Sequence, residues 1–341
     1  MTRELLERVL NARPLSAADA ERLVERFEDS KTPDTERAAL LVALRGRPES
    51  VEELATFAQA MLRRASPFEM AGVERAIDLG GSGGSARPTF NVSTVSAFVV
   101  AAAGQPVVKV TNRSTAGPCG SSDLLEALGL PVTHSRAFSE ETFRRFGLAF
   151  LHAPLFHAST RAVADVTREL GIRTIFDRLG PLVNPARVPY QLVGVPDRPS
   201  CELVANALVR LGVQRGITVS GGDGYDEFSP SGPNFVYGWE GRVLSERHVD
   251  ATKILSEEDR EGEWGPLPPP AAAREAARVL AGGGGARRGA ILLTSGAALW
   301  VSGTATTFRK GLESATLALD GGAAEELFQS VRELSASNRW G

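Results

Sequence analysis

Cysteine and histidine are scarce in this chain. Cys119 and Cys201 are its two thiols in 341 residues, and His134, His152, His157 and His248 its four imidazoles. Two thiols exclude a disulfide scaffold, and no Cys/His spacing fits a zinc site. Charge of one sign is also lacking: 38 basic side chains face 41 acidic ones. That balance gives no electrostatic footprint for nucleic acid or an anionic membrane. The apolar run Ala97–Gly104 is far too short to span a bilayer. The opening MTRELLERVLNARP is an amphipathic helix that contains acids, unlike a signal peptide, so a reducing cytoplasm is the expected setting. What the chain does have is apolar content, 43% of residues, enough for a large core. Its length fits two domains, or one large α/β domain with an appendage.

The first 70 residues read as helices. Leu5, Leu6, Val9 and Leu10 form one stripe; Ser16 caps a second helix with Ala20, Leu23, Val24 and Phe27 inside. A third follows at PDTERAALLVALRG. Ser50 with Glu53 forms a capping box for a fourth, burying Val51, Leu54, Phe57 and Met61. From Ala76 the texture changes. AIDLGGSGG is a strand running into a glycine-rich turn, TFNVSTVSAFVVAAAG a helix, PVVKV a strand and SSDLLEALGL a helix. Such alternation argues a mostly parallel α/β sheet. It recurs at GLAFLHAP and at SCELVANALVRLGVQRGITVS, and NFVYGWEGRVLSERHV reads as a hairpin. The Pro- and Gly-rich stretches around EWGPLPPPAAA and AGGGGARRG read as surface connections. Two helical stretches, AILLTSGAALWVSG and TFRKGLESATLALDGG, close the chain.

Several stretches carry chemistry. Gly81-Ser82-Gly83-Gly84-Ser85 lies between a strand and a helix, where convergent backbone N–H groups and the helix start favour an anion. Asn91, Ser93 and Thr94 put polar groups near the same spot; a tight turn without a ligand fits the same residues. Lys109 ends an apolar strand and Arg113 follows four residues on. Both read toward a ligand at the carboxyl edge of the sheet, with solvated loop cations as the alternative. Asp226 and Glu227, side by side in GGDGYDEFSP, suit a hard divalent cation, although a solvated acidic turn would look alike. Arg173 in an apolar segment either pairs with an internal acid or clamps a carboxylate-bearing ligand. His152 and His157 flank an apolar APLF and read as structural.

In this order the stretches resemble the anthranilate phosphoribosyltransferase family. Its signature runs GTGGDG, TFN(I/V)ST, KHGNR, SSxxGSAD, HPAM, RT(I/V)FNxLGPLxNP and DGxDE. This chain has GSGGSA, TFNVST, KVTNR, AGPCGSSD, HAST, RTIFDRLGPLVNP and DGYDE. The resemblance implies a nucleoside phosphorylase/phosphoribosyltransferase fold: a small helical domain over residues 1–70, completed by helices near 158–185, and an α/β domain over 71–341 with a mostly parallel central sheet. It implies 5-phosphoribosyl-1-pyrophosphate (PRPP) and Mg²⁺ in the hinge, small-molecule substrates, and a homodimer formed through the helical domain. PRPP contacts map by position onto Gly81, Gly83, Gly84, Ser85, Asn91, Ser93, Thr94, Lys109 and Ser121. Acceptor contacts map onto Val110, Asn112, His157 and Arg173, and Mg²⁺ onto Ser93 with Asp226 and Glu227. The implied chemistry is displacement at the ribose C1 carbon by an aromatic amine, in which the protein mainly positions and stabilises, and no catalytic residue is assigned.

The departures are local. KHG becomes Lys109-Val110-Thr111, which loses a histidine at the acceptor site. The Asp of GTGGD becomes Ser85, the Asn of IFN becomes Asp177, and Ala116-Gly117-Pro118 replaces two loop hydroxyls. A hydrogen bond to a charged phosphate contributes roughly 1.5–3 kcal/mol, so two lost hydroxyls weigh on PRPP affinity. The pattern implies a transferase with an altered acceptor pocket. Two other readings fit parts of it. A pyrimidine-nucleoside-phosphorylase-like enzyme would match Lys109-x-Thr111-x-Arg113 with Gly120, Ser121, Asp123 and Glu126. A non-catalytic paralogue that binds nucleic acid or another ligand would tolerate the altered loop.

Overall fold

The computed structural model describes residues 2–81, 89–114, 117–337 and 340. Four helices come first: α1 (Thr2–Leu10), α2 (Ala17–Glu28), α3 (Asp34–Arg45) and α4 (Val51–Arg64). Both expected caps are present. Ser16 Oγ accepts from Asp19 N at 3.2 Å while Asp19 Oδ2 accepts from Ser16 N at 3.0 Å. Ser50 Oγ accepts from Glu53 N at 3.1 Å, and Glu53 Oε2 accepts from Ser50 N at 3.1 Å. Each cap satisfies N–H groups that a helix start leaves orphaned.

Among the described residues seven strands form one sheet: β1 (Ile77–Gly81), β2 (Val107–Thr111), β3 (Leu148–His152), β4 (Tyr190–Gly194), β5 (Arg215–Gly221), β6 (Pro233–Glu240) and β7 (Val243–Asp250). Their order is β3-β2-β1-β4-β5-β6-β7. The first five run parallel, and β6 and β7 join antiparallel, so the expected hairpin extends the main sheet. Strand β4, which the sequence patterns leave unremarked, lies at the centre beside β1. The remaining helices are α5 (Val92–Ala102), α6 (Ser121–Ala127), α7 (Arg136–Phe146), α8 (Ala153–Phe156), α9 (Ala158–Leu170), α10 (Ile175–Leu179), α11 (Arg198–Arg210), α12 (Pro269–Leu280), α13 (Ala286–Val301), α14 (Phe308–Asp320) and α15 (Ala323–Ser335).

Two of these correct the sequence reading. The proline run expected as a connection opens α12, because proline suits a first helical turn whose N–H is unpaired anyway. The chain also ends in α15, beyond the two helices expected to close it.

Two large cores divide the helices. One joins α5, α12, α13, α14 and α15 to the sheet through Phe98, Phe328, Leu293 and Ile217. Every residue from Val92 to Val100 in α5 is buried, so this helix is apolar on nearly all sides. The other core joins Leu23, Phe27, Leu41 and Phe57 of the first four helices to Val163 and Val166 of α9, to Ile175 and Leu179 of α10, and to α11. Residues far apart in the chain therefore share one apolar interior with the N-terminal helices. No helix among the described residues is long and apolar enough to cross a membrane.

Candidate active site

In an open α/β sheet, ligands collect beyond the carboxyl ends of the strands where the strand order reverses. Here that point falls between β1, which leads outward to β2 and β3, and β4, which leads to β5. A cleft of about 600 Å³ opens there, within the range usual for small-molecule sites. Its walls come from Gly80 and Gly81 at the end of β1, the start of α5, the end of β2 with its loop, and His152 at the end of β3. Segments 160–183, from α9 and α10, and the acidic pair close the other side.

Lys109 sits in the middle of this wall. It is 3% exposed, and its Nζ donates to Leu79 O at 2.5 Å and to Ser93 Oγ at 3.2 Å. Asp78 and Glu227 face it. Burial lowers the ammonium pKa, and the two carboxyls oppose that fall. Burial likewise pushes Asp78 up to about 6, with Lys109 opposing. Asp78 is further held by Asn184 Nδ2 at 2.8 Å and by Val110 N at 3.3 Å. The sequence reading missed Asp78; its signal was an acid inside the strand AIDLGG.

The acidic pair arrives on the loop after β5. Asp226 is 8% exposed and Glu227 5%, so neither is a solvated turn residue. Burial, reinforced by Asp226 alongside, pushes Glu227 up to about 8, and Lys109 pulls the other way. Glu227 Oε2 is buried without a hydrogen-bond partner among the described residues, and so is Thr94 Oγ1. The Ser93 backbone N–H is hydrogen-bonded to Glu227. Two adjoining buried carboxyls, one oxygen of them unpartnered, with a serine hydroxyl close by, form a donor set that a hard cation fits. No group of three or more His, Cys, Asp or Glu side chains suited to a metal occurs among the described residues, so such a cation would need substrate oxygens as well.

The expected site residues fare unequally. Gly81, Asn91, Ser93, Thr94, Lys109, Val110, Asn112, Ser121, Arg173, Asp226 and Glu227 all line the cleft. Gly83, Gly84 and Ser85 lie outside the described residues. Asn91 Nδ2 donates to Cys119 O at 3.2 Å, and Ser121 Oγ accepts from Asn112 N at 3.0 Å, so both brace the loop after β2. His157 is not brought into the cleft. It is 2% exposed, and its Nε2 lies 2.8 Å from Val183 O, where burial has made the ring part of the packing. Arg113 is bound by Asp123 at 2.9 Å and by Glu126 at 2.7 and 2.8 Å, so it clamps its loop to α6. That pairing accounts for the Arg113, Asp123 and Glu126 spacing as loop bracing. The Asp177 carboxyl accepts from Thr174 N at 2.7 Å and caps α10, and the residue lines the cleft. His152, read from sequence as structural, lines the cleft.

This architecture, a helical bundle beside an α/β domain with its cleft at the strand-order switch, defines a glycosyl transferase. Residues 3–65 match the glycosyl transferase family helical bundle domain, and residues 73–325 match the family's a/b domain. Within that class the chain belongs to the anthranilate phosphoribosyltransferase family and is a phosphoribosyltransferase. It is 38% identical over 338 residues to the anthranilate phosphoribosyltransferase of Solibacter usitatus, covering 97% of this chain and 98% of that one. It is 37% identical to that of Methanopyrus kandleri, covering 97% and 99%. The crystal structure of the Thermus thermophilus enzyme superposes with a TM-score of 0.85 at 31% identity, covering 98% and 99%. The Saccharomyces cerevisiae enzyme, solved with PRPP and Mg, has the same fold at a TM-score of 0.85 and 23% identity, covering 98% of each chain.

Proposed function

We propose that this transferase moves the phosphoribosyl group of PRPP to an aromatic or heteroaromatic amine, with Mg²⁺, in an acceptor pocket that departs from the family pattern. The observation that carries the donor half is the convergence of Lys109, Ser93, Asp226 and Glu227 at the β1/β4 switch, with Glu227 Oε2 and Thr94 Oγ1 unpartnered there. Mg²⁺ held by Ser93, Asp226 and Glu227 would neutralise charge on the departing pyrophosphate. Lys109 holds Ser93 in place and offsets the nearby carboxyls. The Thr94 hydroxyl, on the first turn of α5, is the unpartnered polar group that would meet a phosphate oxygen. Walls of Val110, Val163 and Phe176 supply an apolar face for an aromatic ring. The same reading divides the chain near residue 70, with the segment around 158–185 returning to the helical unit, as the core shared by α9, α10 and the first four helices supports.

The test is calorimetric titration of PRPP with and without Mg²⁺, on the native chain and on Asp226→Asn with Glu227→Gln. Binding enhanced by Mg²⁺ is expected in the native chain, and its loss in the folded double variant. Undiminished Mg²⁺-enhanced binding in that variant removes the metal assignment, and no PRPP binding at millimolar concentration removes the function.

A further inference from the structure

His152 belongs to no role considered so far, yet it is the one imidazole in the cleft wall among the described residues. It ends β3, directly opposite Thr111 at the end of β2. It is 7% exposed. Ser122 Oγ, on the first turn of α6, lies 2.9 Å from His152 Nδ1 and 3.1 Å from Thr111 Oγ1. Ser122 and Thr111 are 0% and 1% exposed, so this three-member relay is buried up to the ring. Nε2 has no hydrogen-bond partner among the described residues.

The relay coincides with the departures in sequence. The family pattern has glycine where Thr111 stands and alanine where Ser122 stands, so both hydroxyls are additions. It has histidine where Val110 stands. The β2–β3 register pairs Val110 with Leu151 and Thr111 with His152. An imidazole lost from β2 is thus matched by one on the neighbouring strand, a residue further along the same edge.

Proton accounting sets the polarity of the ring. Hydroxyl hydrogens are not fixed by heavy-atom positions. If Nδ1 carried the ring hydrogen, Ser122 would donate to Thr111, and the Thr111 proton would have no acceptor among the described residues, in a side chain only 1% exposed. An unmet buried donor is costly. Donation from Thr111 to Ser122 and from Ser122 to Nδ1 satisfies both hydroxyls and leaves the hydrogen on Nε2. Burial, with Arg113 adding to it and Glu126 and Asp123 opposing, lowers the ring pKa to about 4, so the imidazole is neutral near pH 7.

We propose that His152 is an acceptor-recognition residue, its Nε2–H donating to a carboxylate or carbonyl substituent on the aromatic amine, with Ser122 and Thr111 as the positioning residues. This rests on the transferase reading above and assigns recognition of the acceptor's polar substituent to His152, held by Ser122 and Thr111.

The probes are anthranilate and aniline, which differ by the carboxylate, titrated into the protein loaded with PRPP and Mg²⁺. The native chain should bind anthranilate more tightly. His152→Phe should cost anthranilate about ten- to a hundredfold in affinity, the size of one hydrogen bond to a charged group, and leave aniline and PRPP unchanged. His152→Gln, which keeps an N–H near the Nε2 position, should restore part of the loss, and Ser122→Ala should fall between. Nitrogen-15 NMR of histidine-labelled native protein should show the Nε2–H tautomer. Equal affinity for the two probes, an anthranilate preference that survives His152→Phe, a parallel loss of PRPP binding, or the Nδ1–H tautomer would each overturn the assignment. If PRPP does not bind the native chain, the function reading falls separately, and the same two probes titrated into the ligand-free protein still decide the role of His152.

Discussion

Gly194→Ala is the sharpest probe of how the acidic pair is placed. Gly194 closes β4 and pairs with Gly81 at the end of β1, so it sits at the switch itself. A Cβ there would lie 1.7 Å from the carbonyl oxygen of Asp226 and 2.8 Å from its carbonyl carbon. Both are backbone atoms, and no rotamer change relieves the overlap. A carbon–oxygen contact settles near 3.3–3.6 Å, so the loop would have to retreat by about 1.5 Å or more. It would carry Asp226 and Glu227 with it. Overpacking of this kind typically costs about 1–3 kcal/mol, and a misplacement of about 1 Å at a reacting centre costs about a hundredfold in rate. We therefore expect Gly194→Ala to remain folded, lose about 1–3 kcal/mol in urea unfolding, and weaken Mg²⁺-dependent PRPP binding at least about tenfold. Calorimetry with and without Mg²⁺ reads the binding. A variant that is destabilised yet binds PRPP and Mg²⁺ like the native chain would refute the reasoning, because the acidic loop would then have moved without consequence.

Other predictions follow from the buried charges. Lys109→Met leaves Asp78 and Glu227 without their cation, and breaking such a buried group typically costs about 3–5 kcal/mol. Both carboxyls have raised pKa values, to about 6 and about 8, so stability they contribute when protonated is lost as pH rises through those values. The Lys109→Met penalty in urea unfolding should accordingly be larger at pH 8 than at pH 5, and an equal penalty at both would contradict the network. His152 has the opposite sign. Its pKa is lowered from 6.5 to about 4, so its neutral form contributes stability that is full above pH 6.5 and is lost as pH falls toward 4, by roughly 3 kcal/mol at most. His152→Phe should flatten the acid limb of the stability profile, and an unchanged slope would mean the ring is not buried as described.

Local chemistry decided much of this protein. The Ser16 cap and the Ser50–Glu53 box were legible because a cap is a three-residue matter, satisfied by side chains that the chain itself brings together. The β-α alternation, the polar residues at the sheet's carboxyl edge and the acidic pair were legible for the same reason: strand, turn and helix signals are short-range, and the motifs stand in the family's order. Where the reading failed, the deciding contact was distant. The proline run became α12 once its apolar face met α6, α15 and α5, and β4 took the centre through pairing with β1 across more than a hundred residues. His157 and His152 look alike in sequence, each beside an apolar stretch. Only the tertiary fold sends one into packing against Val183 and brings the other, through the β2–β3 register and the start of α6, against the cleft. Arg113 and Asp177 were likewise charges with open roles until Glu126 and Thr174 claimed them. The sequence alone determined most of the elements, the family and the chemistry available at the sheet's edge. The tertiary structure decided which polar groups were left unmet there, because burial and hydrogen bonding depend on neighbours that the chain order does not name.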